Sequence, residues 1–378
     1  MSSPPTSGRP RAALQLARVW GVPIVVTPSW LLIAVLLTAS YGPIVRDAVP
    51  GTTGTVAYLA SLGFALLFGL CIIAHELGHT LVSRALGYSV TRITLFLLGG
   101  VSEIDGEPRR ARDELLISGA GPLVSAGVAA AAFGGYASTP HGSLAEVLFL
   151  LLAWSNAVLV AFNLLPGLPL DGGRLLRAVI WGIGGKEVRS TRVAGWMGRA
   201  LAVLIAVSGL IVDRTSAGVA AGIVTLFLAV YLWSGASAAI RVADVQQRLP
   251  LVRVSDLLRP GLLVPSTATV DDALQRAWAG NVRGIVLTDA AERPTAIVDE
   301  RLISAVPPPR RPWTRVADVA RPLDAGTVLP VDIAATDLLD RMREHPAREY
   351  LMLAADGSPA GIITTADFAR LLNTKPPA

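Results

Sequence analysis

Long apolar runs dominate the chain as far as Ala239 and predict membrane-spanning helices at Val25–Ser40, Val56–Leu81, Leu115–Ala137, Leu144–Leu165, Gly195–Val212 and Ala217–Ala239. Most approach the roughly 20 residues that a helix needs to cross a bilayer; the first and fifth are shorter or interrupted. The segment from Tyr88 to Pro108 follows a different pattern. Thr91–Leu98 is rich in β-formers, and Gly99–Gly100 then breaks the run, which predicts a short hairpin at the membrane edge. Irregular backbone at that depth survives only where protein or a wet cavity satisfies its polar groups.

Beyond Ala239 charges become frequent, apolar runs shorten and a repeat emerges. "VSDLLRP" (Val254–Pro260) recurs as "VADVARP" (Val316–Pro322), and "GIVLTDAAERPTAIV" is matched by "YLMLAADGSPAGII". Two copies of a small α/β unit, residues 251–306 and 314–374, joined through "PPPRRPWTR", account for this pattern. The expected fold is therefore a polytopic α-helical membrane protein of about six transmembrane helices, residues 20–240, followed by a soluble α/β tandem repeat.

Composition agrees with that division. Of the 378 residues, 52% are hydrophobic and 16% charged, with mean hydropathy +0.54, which argues against an ordinary soluble enzyme. The net charge of +5 comes almost wholly from arginine. Those arginines sit between apolar runs, where they set topology, so nucleic-acid binding is not expected. Arg9, Arg11 and Arg18 precede the first run, Arg84, Arg92, Arg109, Arg110 and Arg112 follow the second, and Arg174, Arg177, Lys186, Arg189 and Arg192 follow the fourth. The opposite side carries only Arg46 and Arg214, so the expected location is the cell membrane with both termini cytoplasmic. Residues 1–19 read as a cytoplasmic arm, with Met1–Pro10 expected to be disordered. Cys71 is the single cysteine, so no intrachain disulfide can form, and it reads as a small core residue.

The chemistry concentrates in two stretches. "HELGH" places His75 and His79 four residues apart, on one helical face, with Glu76 beside them. Two imidazoles at this spacing can hold one zinc ion while the glutamate takes a proton from water. Only four histidines exist in the chain, and these two fall inside an apolar run, where ionisable groups are expensive. Zinc needs a third protein ligand. Glu103, Asp105 and Glu107 are available in the loop, but Asp171 is the better candidate, because "NLLPGLPLDGGR" (Asn163–Arg174) breaks the helix at membrane depth and implies a cavity. The alternative is that Asp171 only caps the next helix, as a D-G-G turn commonly does.

Together "HELGH" and "NLLPGLPLDG" resemble the two signature motifs of the site-2 protease family of intramembrane zinc metalloproteases, and the likeness extends to the span layout and the C-terminal repeat. The resemblance implies His75, His79 and Asp171 as zinc ligands, Glu76 as catalytic base and Asn163 as a group that holds substrate or the oxyanion. "SGAGPLVSAG" (Ser118–Gly127) resembles a glycine–proline element that packs near the site. The loops have no room for a PDZ-like insertion, as in the compact branch of the family. Implied substrates are single-span membrane proteins such as anti-sigma factors. "GIITTADF" resembles the end of a CBS motif, and CBS pairs sense adenine nucleotides through a late threonine and aspartate. The second copy keeps these as Thr364 and Asp367, whereas the first has Asp299 and Leu302 in their places. The pair could instead only brace the membrane part or form a homodimer. Competing functions are a CBS-regulated transporter or channel and a catalytically inactive family member.

Overall fold

The computed structural model describes residues 14–96, 99–212, 218–280, 282 and 284–373; the disorder expected of Met1–Pro10 and the end of the expected hairpin strand, Leu97–Leu98, lie outside these. The chain forms two compact units that divide between Ala243 and Asp244, inside the last turns of the helix Gly218–Arg248 that ends the first.

The first unit runs β1 (Leu14–Val19), β2 (Val22–Val26), α1 (Pro28–Ala48), α2 (Gly54–Ala85), β3 (Val90–Phe96), β4 (Gly99–Ile104), α3 (Ala111–Ser138), α4 (Leu144–Asn163), α5 (Asp171–Gly182), α6 (Glu187–Val212) and α7 (Gly218–Arg248). Among the described residues six helices are long and apolar enough to cross a membrane: α1 to α4, the Glu187–Gly209 part of α6 and the Gly222–Arg248 part of α7. Each expected run falls on one of them. The first begins three residues later than expected, because Thr27 is an extended N-cap and Pro28, with its fixed φ, opens the helix. Val25 and Val26 belong instead to β2.

Helix α2 shows why these helices belong in lipid. Its outward face carries Leu59, Leu66, Leu70 and Leu81, all more than half exposed, while Ser61, His75, Glu76, His79, Thr80 and Ser83 are buried. The buried polar positions recur at helical spacing, so the apolar stripe faces out and the polar stripe faces in. Water would favour the reverse arrangement; a hydrocarbon surround favours this one.

The expected hairpin is part of a larger sheet. β3 and β4 pair antiparallel, but β2 pairs parallel to β3 and β1 antiparallel to β2, giving the order β1-β2-β3-β4. A two-stranded ribbon is marginal alone. Here residues assigned from sequence to the arm and the first span supply two further strands. Val22, Ile24, Ile93 and Leu95 pack this sheet on Trp30 and Ala34 of α1 and Ala65 and Ile72 of α2. β3 is thus an interior strand, and among the described strands β1 and β4 are the two edges of the sheet.

The twelve-residue α5 was not expected as a separate element. It lies between two spans and is amphipathic, burying Gly172, Gly173 and Ala178. Arg177 anchors it: its Nε lies 2.6 and 2.8 Å from the carboxylate oxygens of Glu114 on α3, which is 2% exposed.

The second unit contains two β-α-β-β-α repeats. β5 (Gly261–Pro265), α8 (Val270–Ala279), β6 (Gly284–Thr288), β7 (Pro294–Val298) and α9 (Glu300–Ala305) form the first. After β8 (Ala320–Pro322) come β9 (Val328–Pro330), α10 (Ala335–Glu344), β10 (Glu349–Leu353), β11 (Pro359–Thr364) and α11 (Thr365–Asn373). In each repeat the first two strands pair in parallel and the last two antiparallel. The copies exchange their leading segments. Arg259, ahead of the first repeat, bridges to Ile362 in the second, while β8, ahead of the second, pairs with β7 in the first. The cores exchange likewise: Val254 packs with Leu338, Tyr350 and Phe368, and Val316 and Val319 pack with Val270, Ile285 and Val298. This is the architecture expected of a tandem CBS pair.

Candidate metal centre

Three helices meet at His75 and His79. The imidazoles are 4% and 7% exposed, and each is held from behind through Nδ1. His79 Nδ1 lies 2.7 Å from the carbonyl oxygen of Ile117 on α3, and His75 Nδ1 lies 2.9 Å from Ser125 Oγ about two turns further along the same helix. A carbonyl can only accept, so His79 carries its proton on Nδ1 and turns the Nε2 lone pair forward. Orientation of each ligand ring by such a partner is a recurring feature of metal-binding histidines.

Asp171 closes the group. It is the first residue of α5, and its Oδ2 lies 3.1 Å from His75 Nε2 and 3.3 Å from His79 Nε2. The two Nε2 atoms are 3.2 Å apart. Three electron-rich atoms at such separations need a positive centre among them, either a proton or a metal ion. In a tetrahedral site with bonds of about 2.1 Å, neighbouring donors sit about 3.4 Å apart. The observed triangle fits that edge to within a few tenths of an ångström. Burial acts to raise the Asp171 pKa, but the contacts with His75 and His79 outweigh it and hold the group well below the usual carboxylate range. Of the acidic alternatives, Glu103 instead pairs with Arg92 at 3.0 Å, and Glu107 lies 3.8 Å from Arg177.

The chain between α4 and α5 shows how Asp171 reaches this point. The helix stops at Asn163, and Leu168 then donates its N–H to the carbonyl of Ala194 on α6 at 3.1 Å. Gly173 and Arg174 donate to the carbonyl of Leu170 and start α5. The breakers therefore place a satisfied irregular segment beside the spans, as the sequence pattern required. Asp171 is the first residue of α5 but not its cap: the N-cap is Leu170, with no side-chain cap bond, and the Asp171 carboxylate faces the histidines instead.

Gly121, inside "SGAGPLVSAG", makes room for the donors. A Cβ there would lie 2.3 Å from His79 Nε2 and 2.6 Å from His75 Nε2. The element is therefore more than adjacent packing: any side chain at this position would fill the space that a cation needs.

The three donors line one cavity of about 180 Å³ with Glu76 and Asn163. Phe96, Leu159, Phe162, Leu228 and Tyr231 supply much of its apolar wall. From sequence Gly100 was read only as part of the Gly99–Gly100 break and Ser102 was not singled out; both support Glu76 from β4. Ser102 Oγ lies 2.7 Å from Glu76 Oε2, and a Cβ on Gly100 would come within 2.5 Å of Glu76 Cγ. The available signal was the two-residue spacing from Gly100, the second glycine of the break, to Ser102. Cys71 is buried as expected.

In the second unit Thr364 and Asp367 are brought together, but with each other. Thr364 Oγ1 donates to Asp367 Oδ2 at 2.8 Å, and Arg259 grips the same carboxylate at 2.5 and 2.7 Å. Burial opposes this, yet Arg259 and Thr364 hold the Asp367 pKa below the usual range. Thr364 lines a cavity of about 290 Å³ with Arg259, Arg301 and Arg348, and Asp299 from the first repeat stands in its wall.

Known proteins resemble this chain over most of its length. The family model "Peptidase family M50" matches residues 63–141 and 137–207, which include both motifs. Rip3 of Mycobacterium tuberculosis, which bears the name of a zinc metalloprotease, is 32% identical over 370 residues, covering 96% of this chain and 93% of its own. A site-2 protease from Methanocaldococcus jannaschii is 26% identical, covering 60% of this chain and 95% of that one, with TM-score 0.43. The CBS domain of a bacterial CNNM/CorC family Mg2+ transporter is 16% identical, covering 41% of this chain and 96% of that one, with TM-score 0.30. With its spans, its paired motifs and its C-terminal CBS-like repeat, the chain belongs to peptidase family M50, the site-2 protease family of membrane metalloproteases.

Proposed function

We propose that this protein is an intramembrane zinc metalloprotease that hydrolyses peptide bonds within or near the transmembrane segments of single-span membrane proteins. The observation that carries this reading is the convergence of His75, His79 and Asp171 within 4.8 Å of one another, in a cavity that Glu76 also lines. Two imidazoles and one carboxylate are a catalytic rather than a structural zinc set, since three protein ligands leave a position open. Zinc bound there would supply Lewis acidity and a water whose pKa is about 7.

The chain's own groups divide the remaining work. Glu76, 6% exposed, takes a proton from the attacking water on a carboxylate oxygen and returns it to the leaving amide nitrogen. Asn163 is suited to donate its side-chain N–H to the carbonyl oxygen as charge develops, an effect worth about 3 kcal/mol for one donor. The apolar wall of Phe96, Leu159 and Phe162 excludes bulk water, which strengthens both interactions.

Substrate must unwind to expose its carbonyls, and an extended segment can pair with an open sheet edge. The sequence suggested Thr91–Leu98 for this role, but β3 has neighbours on both sides. The reading therefore moves to β4, the one of the two edge strands whose residues, Gly99–Ser102, line the cavity. The arginine distribution supports N- and C-termini in the cytoplasm, with the metal near the inner leaflet. In the same reading, the Arg259, Arg301 and Arg348 cavity takes the phosphates of an adenine nucleotide; titration of the full chain with ATP, ADP and AMP tests this, and absence of heat for all of them leaves the bracing role.

The test of the protease reading is Glu76→Gln in proteoliposomes, compared with wild type by fragment proteomics. Expected are loss of cleavage and retention of one zinc per chain. Undiminished cleavage would remove Glu76 as the base, and absence of metal from the wild-type protein would remove the hydrolase.

A further inference from the structure

Strand β4 does more than present an edge. Its register with β3 sets Gly100 opposite Leu95 and Ser102 opposite Ile93. Leu95 and Ile93 are 1% and 0% exposed and face the core that includes α2. Directly paired residues share a face, and residues two apart share one too. Gly100 and Ser102 are therefore successive positions on the side of β4 turned to α2, while Val101 between them is 46% exposed on the other.

Glu76 sits against that pair. Ser102 Oγ lies 2.7 Å from Glu76 Oε2 and 3.2 Å from the Glu76 carbonyl; its single hydrogen goes to the nearer, charged oxygen. Thr80, one turn further along α2 and fully buried, stands 3.4 Å from the same hydroxyl and can donate to its lone pair. Gly100 leaves the space that the Glu76 side chain uses: a Cβ would lie 2.5 Å from its Cγ and 3.0 Å from its Cδ and Oε1. A glutamate on a helix has freely turning χ angles unless something fixes them. Here one residue bounds the stem and the other holds an oxygen.

From this geometry we propose that Gly100 and Ser102 form a seat that aims the Glu76 carboxylate, making Ser102 a positioning residue for the hydrolytic step. The inference rests on the reading that Glu76 moves the proton. It also has a consequence for substrate. The seat is on the edge strand that an extended peptide would join, so one strand would both receive the substrate and hold the base.

The test uses the full-length protein in proteoliposomes, a single-span substrate, and zinc content measured beside the kinetics. Ser102→Ala should lower kcat about ten- to a hundredfold, the loss of one hydrogen bond to a charged group, with KM and zinc per chain unchanged. Ser102→Thr, which keeps the hydroxyl, should restore most of the rate. Gly100→Ala should lower kcat by displacing the stem. A second measurement needs no turnover: in metal-free protein, Ser102→Ala should lower Tm more when Glu76 is present than in a Glu76→Ala background, where only the contacts with the residue-76 carbonyl and Thr80 remain to be lost. A Ser102→Ala enzyme with wild-type kcat, a rise in KM in place of the loss in kcat, failure of threonine to rescue, or equal Tm losses in both backgrounds would overturn the proposal. If the wild type cleaves no membrane substrate, the protease reading fails, and the Tm comparison still decides whether the seat exists.

Discussion

Replacing Gly121 with alanine should empty the metal site without altering any ligand. Gly121 lies in α3, and the added methyl would stand 2.3 Å from His79 Nε2 and 2.6 Å from His75 Nε2. Ordinary contact for such atoms begins at about 3.4 Å, so each ring must retreat by about 1 Å. The tolerance of metal–ligand distances is about 0.2 Å, several times smaller. Nor can the rings retreat freely, because His79 is held at Ile117 and His75 at Ser125. Zinc affinity should fall by about a hundredfold or more, the upper range for disturbing the groups that orient ligands. Cleavage should fall at least as far, since an error of about 1 Å costs about a hundredfold by itself. The helix should not suffer: glycine to alanine in a helix interior is favourable by about 1 kcal/mol. Gly127→Ala is the matched control, since nothing lies within 4 Å of its Cβ. Zinc per chain after dialysis against a zinc buffer, together with a cleavage rate, reads the outcome. A Gly121→Ala protein with wild-type zinc affinity and rate would refute the placement of the cation between these rings.

The Arg177–Glu114 pair should be structural, holding the helix whose first residue is Asp171. Arg177→Met leaves Glu114 buried and unpaired, which costs about 3–5 kcal/mol and should appear as a lower Tm with weaker zinc binding; an unchanged Tm would mean that the ion pair carries no load. Substrates should need helix breakers near the cut, so replacing Gly or Pro by Leu in the substrate span should slow cleavage, and indifference would count against an extended pose at β4. In the second unit, Asp367 has a folded pKa below its unfolded value of about 3.9, so its stabilisation is complete above that pH and disappears as pH falls through the folded value. Asp367→Asn should therefore lower the Tm of this unit at neutral pH and flatten its decline below about pH 4; unchanged acid sensitivity would show that the Arg259 contact contributes little.

How much of this could be read from the sequence depended on how far apart the cooperating residues lie along the chain. His75 and His79 were legible because helical geometry alone puts them on one face, and the apolar surroundings made two ionisable side chains conspicuous. Asp171 was legible because prolines and glycines at membrane depth demand a cavity. The repeat was legible as a period, but not its exchange of leading segments, since "VSDLLRP" and "VADVARP" are alike enough for each to suit either core. The sheet was only half legible. Pairing of β3 with β4 follows from proximity, but β2 joins β3 in parallel through Ile24 and Ile93, with two spans between them, and no local pattern announces a partner that distant. That one non-local contact decides the rest. With β2 on its inner side, β3 turns its buried residues to α2, and β4 inherits the alternation through register, bringing Gly100 and Ser102 to Glu76. The two imidazoles and Glu76 are thus encoded within about one helical turn, whereas the direction in which the carboxylate points depends on strands at the start of the chain. Disruption of β2 should consequently disturb Glu76 before it disturbs the histidines, because the rings are oriented by α3 and the glutamate by the sheet.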